Sequence, residues 1–213
     1  MSTQGMSSQG MSTPGMTRPT QLQDVAAIVV GASAGGIHAM MQICKDLPTK
    51  YPLPIIVTLH MQDMRDSRLA ALFQHHLRLR VKDAEDKESI RPGILYFAVP
   101  GYHLSIERER VFSFSCEPPL HFSRPSIDIL MESAVDAYGA NLMGILMTGA
   151  NQDGAAGLLA IKQAGGICVV QDPAEAEIDY MPKSALALQT PDLILTLAEI
   201  NALLISLGDH HVH

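Results

Sequence analysis

Ser33 is the residue of this sequence best suited to nucleophilic chemistry. It is the centre of Gly31-Ala-Ser33-Ala-Gly35, which fits the pattern G-x-S-x-G and lies between an apolar run and a predicted helix. A serine on such a turn is exposed at the carboxyl end of a strand, and its small neighbours let a substrate approach the backbone. The helix N-terminus offers free N–H groups that suit a developing oxyanion. The alternative interpretation is that Ser33 only caps the helix that begins near Gly36.

His60 is the candidate base for Ser33. It follows the apolar run PIIVTL directly, so we expect it at the carboxyl end of a second parallel strand. These strand ends line one crevice in an open α/β sheet, which brings the two side chains within reach of each other. An imidazole can take the serine proton and return it to a leaving group. A hydrogen-bonded histidine with a purely structural role is the alternative.

Asp153 is the candidate for the carboxylate that orients the imidazole. It follows the buried run over residues 142–147 and precedes a predicted helix over 155–164. The same position suits a helix N-cap, so a purely structural role stays open. Spacing alone does not exclude four other carboxylates, which are Asp63, Asp66, Asp128 and Asp172.

A dinucleotide-binding loop is the competing interpretation of the glycine-rich turn. Gly31 and Gly36 have the required spacing, but Ser33 stands where the middle glycine should approach a pyrophosphate. The second strand should end in an acidic residue that binds a ribose, and it ends in His60. This substitution favours a serine nucleophile with a base over a nucleotide site.

The elements around these residues predict an α/β fold with a doubly wound, mostly parallel, Rossmann-like three-layer sheet. Continuous apolar runs alternate with helical patterns, which is typical of strands buried on both faces. The predicted strands cover residues 25–30, 54–59, 142–147, 167–171 and 193–196. The predicted helices cover residues 37–47, about 67–79, 127–138, 155–164 and 197–207.

The middle of the chain predicts a different local structure. Residues 93–99, 103–107 and 110–116 are short, rich in β-forming residues and separated by turn residues, so we interpret them as an antiparallel hairpin element in or beside the sheet. The helix that follows has one apolar face at helical spacing. Pro125 suits its first turn, and Gly139 suits its C-terminal end.

The N-terminal segment is expected to lie outside the globular domain. Residues 1–20 repeat MSTQG, MSSQG and MSTPG and contain no aromatic residue, so this tail cannot bury enough apolar area to order itself. The composition of this tail is compatible with a tether and equally with a repeat that has no function. Residues 24–207 are expected to form one catalytic domain.

The composition narrows the class of protein. Lys and Arg total 15 and Asp and Glu total 22, so the formal net charge of −7 argues against nucleic acid as the main partner. The three cysteines form no CxxC, and no run is long and apolar enough to span a membrane. Neither His75-His76 nor the histidines at the C-terminus predict a native metal site. We expect a cytoplasmic protein, not membrane-embedded, without metal or cofactor.

The sequence resembles the catalytic domain of the CheB-type chemotaxis receptor protein-glutamate methylesterases. The resemblance covers residues 24–207 and rests on several motifs in the right order. These motifs are IVVGASAGG, TLHM, RPG-ILYFAVPGYHL, RPSIDILMESA, GILMTGANQDGAAGLLAIKQAGG and YMPKSAL. The order Ser, His, Asp along the chain also differs from the order Ser, Asp, His of ordinary α/β-hydrolases.

The resemblance implies a hydrolase that converts methyl esters of receptor glutamates to carboxylates, with glutamine deamidation in some members. The implied triad is Ser33, His60 and Asp153, and the implied oxyanion donors are backbone N–H groups near Ala34 and Ala150. The implied partner is the cytoplasmic domain of a methylated chemoreceptor or a similar sensor.

Three departures from the family pattern bear on regulation and cleft shape. Well-known members carry an N-terminal receiver domain, part of a phosphorelay, where this chain has its biased tail, so we expect control to be absent or to come from a separate response-regulator protein. Ala34 and Ala150 stand where those members often have Thr and Met. Residues 62–66 replace a proline-rich stretch. These departures leave a second hypothesis open, a catalytically altered, partner-binding module of a signalling complex.

Overall fold

The computed structural model describes residues 22–60 and 69–211. The predicted tail over residues 1–20 lies outside the described residues, as do Asp63, Asp66 and His213. The predictions made for these positions therefore have no structural counterpart below.

Within the described residues, the main sheet has seven strands, and every pair of neighbours is parallel. Its order is β3-β4-β2-β1-β7-β8-β9. A separate antiparallel hairpin pairs β5 with β6. The strands are β1 (Ala27–Ala32), β2 (Ile55–Leu59), β3 (Arg80–Asp83), β4 (Ile94–Phe97), β5 (His103–Ile106), β6 (Phe112–Ser115), β7 (Leu142–Leu146), β8 (Ile167–Gln171) and β9 (Leu193–Leu195).

Helices cover both faces of the sheet, which confirms the doubly wound three-layer prediction. They are α1 (Gly36–Ile43), α2 (Leu69–His76), α3 (Ile127–Tyr138), α4 (Ala155–Gln163), α5 (Tyr180–Leu188) and α6 (Leu197–His210). Alternate residues of β1 show why its sequence is continuously apolar. Ile28 and Val30 pack into the core with α1, α2 and α6, while Ala27 and Val29 pack into the core with α3, α4 and α5. A strand buried on both sides has no face left for polar residues.

The chain reverses its direction of winding around β1. The strands β2, β4 and β3 lie on one side of β1, and β7, β8 and β9 lie on the other side. Ligands of open α/β sheets bind outside the carboxyl ends of the strands at such a switch point. The loops that leave β1 and β7 meet there with the residue that directly follows β2, and these three places carry the candidate catalytic residues.

Three features differ from the sequence prediction. Residues 94–97 belong to the main sheet as β4, parallel to β2 and β3, so only β5 and β6 form the predicted antiparallel hairpin. The strand β3 and the helix α5 were not predicted. Pro125 lies before Ser126, the N-cap of α3, rather than in the first helical turn, whereas Gly139 is the C-cap as expected.

Among the described residues, no helix is long and apolar enough to cross a membrane.

Candidate active site

Ser33 lies on the turn between β1 and α1, as the sequence predicts. Its backbone N–H donates a 2.9 Å hydrogen bond to the carbonyl of Thr148, which follows β7. The N-cap of α1 is Gly35, in the left-handed conformation and without a side-chain cap. Ser33 therefore does not cap the helix, and its side chain lines the cleft at the carboxyl edge of the sheet.

Thr148 fastens this turn from the neighbouring loop. Its buried hydroxyl donates a 2.8 Å hydrogen bond to the carbonyl of Ala34 and accepts one of 2.9 Å from the N–H of Ile178. One side chain thus links the turn that carries Ser33 to the loops after β7 and β8. A turn held at several points presents its nucleophile in a fixed position.

His60 follows β2 directly, and its side chain is 10% exposed. Its backbone N–H donates to the carbonyl of Ala32 over 3.1 Å, which ties the end of β2 to the end of β1. Its Nε2 lies 2.9 Å from Oδ2 of Asp153. The structure thus brings together two of the three predicted catalytic side chains by a direct hydrogen bond.

The carboxylate of Asp153 is fully buried and accepts four hydrogen bonds. Besides His60, its donors are the hydroxyl of Ser126 at 2.9 Å and the N–H groups of Ile127 and Asp128 at 2.8 and 3.0 Å. Burial alone would raise the pKa of Asp153, but the hydrogen bonds from His60 and from the backbone lower it below its ordinary value. The carboxylate is therefore ionised at neutral pH and can orient the imidazole.

Asp153 does not cap the helix that follows it. The N-cap of α4 is Gly154, without a side-chain cap, and the Asp153 carboxylate instead lies at the N-terminus of α3. Behind it, the N–H of Ser126 donates to Nδ1 of the fully buried His103 over 3.2 Å. Since His103 belongs to β5, the hairpin supports the Asp153 carboxylate through Ser126.

The two described rival carboxylates make other contacts. Asp128 accepts hydrogen bonds from the N–H groups of Gly154 and Gly157, and its other oxygen lies 3.4 Å from Nε2 of His121. Asp172 accepts a hydrogen bond from the N–H of Ala174 in the turn after β8. Within the described part of the chain, the carboxylate bound to His60 is that of Asp153.

Sequence reasoning missed two side chains beside His60. Nδ1 of the ring lies 3.3 Å from the hydroxyl of Ser123 and 3.5 Å from Nδ2 of Asn151. Asn151 was visible as a polar neighbour of Asp153 in the motif TGANQDG. Ser123 had no sequence signal, because it lies in an irregular segment whose path depends on distant contacts.

A strained turn holds Ser123 in this position. Leu120 and Ser123 exchange backbone hydrogen bonds of 3.1 and 2.8 Å, and the residues between them, His121 and Phe122, have φ of 49° and 63°. Large side chains rarely adopt this left-handed conformation. Phe122 is fully exposed at the tip of the turn, next to the cleft.

The cleft has a volume of about 770 Å³, and Ser33, His60, Ser123 and Asn151 all line it. Ala34 and Ala150 line the same cleft. Among the residues that the structure describes, the backbone N–H groups of these two alanines have no protein acceptor. Free N–H groups beside a nucleophile can stabilise an oxyanion.

The described residues contain no group of three or more His, Cys, Asp or Glu side chains arranged to hold a metal ion. His75 and His76 lie on the exposed side of α2, as predicted. The position where a dinucleotide fold would bind a ribose is occupied by His60, which is bonded to Asp153. The arrangement thus matches acyl transfer by a serine, a histidine and an aspartate.

Comparisons with known proteins agree with this chemistry. The family model described as CheB methylesterase matches residues 28–204. A Leptospira interrogans protein named putative protein-glutamate methylesterase/protein-glutamine glutaminase is 45% identical over 186 residues, which are 87% of this chain and 96% of that protein. A Methanospirillum hungatei protein-glutamate methylesterase/protein-glutamine glutaminase is 36% identical over 187 residues, which are 88% of this chain but 53% of that protein. The crystal structure of the Thermotoga maritima CheB methylesterase catalytic domain superposes with a TM-score of 0.81 at 30% identity and covers 86% of this chain and 98% of that domain.

Proposed function

The chain belongs to the CheB methylesterase family, and from this premise we propose that it hydrolyses glutamate methyl esters of a chemoreceptor through Ser33, His60 and Asp153. The observation that carries the proposal is the hydrogen bond of 2.9 Å between Nε2 of His60 and Asp153, in a cleft that Ser33 lines. The catalytic unit is residues 24–207.

The first half of the reaction forms an ester of Ser33. Its Oγ attacks the carbonyl carbon of the glutamate methyl ester while Nδ1 of His60 takes the hydroxyl proton, because Nε2 already donates to Asp153. The carbonyl π electrons move onto oxygen, and the N–H groups of Ala34 and Ala150 stabilise the oxyanion. As the intermediate collapses, the bond to the methoxy oxygen breaks, and His60 gives its proton to that oxygen to release methanol.

The second half regenerates the enzyme. Water attacks the acyl carbon while His60 takes one of its protons, and the bond between that carbon and Ser33 Oγ breaks as His60 returns the proton to the serine. The products are a receptor glutamate and free Ser33. A glutamine side chain would follow the same route with ammonia as the leaving group, in line with the second activity in the names of the relatives.

The family indicates the class of substrate, and the substrate indicates the compartment in which the protein acts. The proposed partner is the methylated cytoplasmic domain of a chemoreceptor or similar sensor, so the protein acts in the cytoplasm. The cleft suits a side-chain ester because it is an open groove at the edge of the sheet, lined by small residues such as Ala34 and Ala150 next to Ser33.

Methanol release from methylated receptor membranes tests the proposal. The wild-type protein and a Ser33→Ala variant are compared on receptors whose methylation has been verified, and circular dichroism checks that both proteins are folded. Release that depends on Ser33 supports the proposal. Equal release by the two proteins would contradict the triad assignment, and no release by the folded wild type would favour the partner-binding alternative.

A further inference from the structure

Asp128 is a buried carboxylate that the proposed reaction does not use. It lies in the first turn of α3 and is 2% exposed. Its Oδ1 accepts hydrogen bonds from the N–H of Gly154 at 2.9 Å and from the N–H of Gly157 at 2.7 Å. A residue of α3 therefore supplies the acceptor for the N-terminus of α4, whose own N-cap has no side chain.

The relationship between Asp128 and Asp153 is reciprocal. The Asp153 carboxylate accepts from the backbone N–H of Asp128 over 3.0 Å, and the Asp128 carboxylate accepts from the N–H of Gly154, the residue bonded to Asp153. These two hydrogen bonds, together with the covalent link from Asp153 to Gly154, join Asp128 and Asp153 in a closed ring. Within this ring, each carboxylate fixes the backbone next to the other.

We propose that Asp128 is a positioning residue that holds the catalytic carboxylate against His60 through the peptide of Gly154. The inference rests on the triad of the proposed function. Without the Asp128 carboxylate, the N–H of Gly154 would lose its acceptor, and the peptide directly after Asp153 would no longer be tied to α3. A small displacement of a catalytic group lowers the rate strongly, because the chemistry depends on its geometry.

The charge of Asp128 acts on the same site. His121, from the turn before α3, and Asp153, from the loop before α4, are the titratable groups that face it, while α5 contributes the neutral Ser184 to the adjoining pocket. Burial chiefly, together with the nearby charge of Asp153, raises the pKa of Asp128 to about 6, although the hydrogen bonds from Gly157 and Gly154 lower it. Above that pH, the buried region carries a second negative charge beside that of Asp153.

Two substitutions separate position from charge. Asp128→Ala removes the acceptor and the charge, whereas Asp128→Asn keeps an amide oxygen that can accept from Gly154 and Gly157 and removes only the charge. Thr196→Ala is the matched control. Thr196 caps α6 with its side chain, so its loss removes a helix cap of similar kind on the opposite face of the sheet.

The readout is the rate at which a serine-directed fluorophosphonate labels Ser33, measured across probe concentration and pH. For Asp128→Ala, we expect the limiting rate to fall about ten-fold or more, with half-saturation unchanged within about two-fold. For Asp128→Asn, whose amide oxygen still accepts from Gly154, we expect a limiting rate within about three-fold of wild type at pH 8, so the conservative variant should rescue the loss. Thr196→Ala should match the wild type in both respects.

Labelling needs no receptor, so this experiment is separate from the test of the proposed function. A wild type that labels at Ser33 but releases no methanol contradicts the proposed substrate and leaves the positioning of Asp153 open to test. A wild-type rate for Asp128→Ala, or an equal loss for Thr196→Ala, would overturn the inference. If Asp128→Ala does not fold, Asp128→Glu decides, because it keeps the charge and displaces the acceptor from Gly154: a limiting rate equal to wild type overturns the role, and a rate about ten-fold lower or more supports it.

Discussion

His60 and Asp153 meet through Nε2 of the imidazole, at 2.9 Å from Oδ2 of the carboxylate. In the familiar triad of the serine proteases, the carboxylate binds the other ring nitrogen, Nδ1. In the proposed mechanism Nδ1 is the base, and it lies 3.3 Å from the hydroxyl of Ser123. Among the described residues, no hydrogen bond joins Ser33 to His60, so the attack requires Nδ1 to exchange the hydroxyl of Ser123 for that of Ser33.

The two serines near His60 should differ in their effect on catalysis. We expect Ser33→Ala to lower the rate of ester hydrolysis by about three orders of magnitude or more, because the nucleophile is lost. Ser123→Ala should change the rate less than about ten-fold, because it removes only neutral hydrogen bonds, one to the imidazole and one from Asn151. Initial rates of methanol release measure both. The reverse order would make Ser123 the nucleophile.

Asp153→Asn should remove most of the activity and part of the stability. An amide has one acceptor oxygen for four donors, and it favours the imidazole tautomer with its proton on Nδ1. We expect a loss in turnover of about 10⁴-fold and a fall in the free energy of unfolding of about 2–4 kcal/mol. Single-turnover kinetics and urea denaturation measure the two effects.

The control for Asp153→Asn is Asp172→Asn. Asp172 also follows a strand of the sheet, but it accepts from Ala174 and has no contact with His60. Its substitution should leave the turnover unchanged. Similar losses for both variants would mean that the effect does not come from the imidazole.

Asp128 should make the protein less stable as the pH rises through weakly acidic values. Burial raises its pKa from 3.8 to about 6, so the folded state binds more protons than the unfolded state between those values. The free energy of unfolding contributed by this group is therefore fully present below pH 3.8 and is lost as the pH rises through 6. Asp128→Asn should remain unaffected by this titration, so its stability relative to wild type should rise between about pH 4 and pH 7.

Urea denaturation at several pH values measures this difference. Both proteins keep Asp153, whose lowered pKa has the opposite dependence, so the part of its contribution that does not depend on Asp128 cancels in the comparison. Parallel curves for the two proteins would show that Asp128 does not titrate in this range.

Gly154→Ala should destabilise the protein more than Gly101→Ala. Both glycines have positive φ, 93° and 88°, which any other residue adopts with strain. A Cβ at Gly154 would lie 2.5 Å from Leu146 and 2.7 Å from Ile127, whereas a Cβ at Gly101 would meet nothing within 4 Å. We expect losses of about 3 kcal/mol and about 1 kcal/mol in the free energy of unfolding. Equal losses would mean that the core around Gly154 can move aside.

The positions of Ser33 and His60 could be predicted because Ser33 lies in the glycine-rich turn after one continuous apolar run and His60 directly follows another. The carboxyl ends of parallel strands lie at one edge, so local sequence was sufficient to place these residues in one cleft. The partners of Asp153 could not be predicted. Its position before a helix suggested a cap for that helix, but the carboxylate caps α3 instead, and that depends on how the two helices pack.

The missed elements have similar physical reasons. The strand β4 has four residues between turn signals, and only its non-local pairing with β2 distinguishes it from a hairpin strand. The edge strand β3, with the sequence RVKD, has one buried residue, so its pattern is weak. In α5, Pro182 falls in the first turn, where the missing N–H needs no partner, but in sequence it suggests a break.

The ring between Asp128 and Asp153 has a consequence for local opening of the native state. Helix ends usually fray independently and at little cost, so their first amide protons exchange with solvent quickly. Here the N-termini of α3 and α4 are hydrogen-bonded to each other through Asp128 and Asp153. The N-terminus of α3 also binds the Asp153 carboxylate, which contacts His60. The amide protons of Ile127, Asp128, Gly154 and Gly157 should therefore exchange at similar, slow rates. An opening that releases them would also disassemble the catalytic site, so the active fraction of the enzyme should follow the closed fraction of these two helix starts.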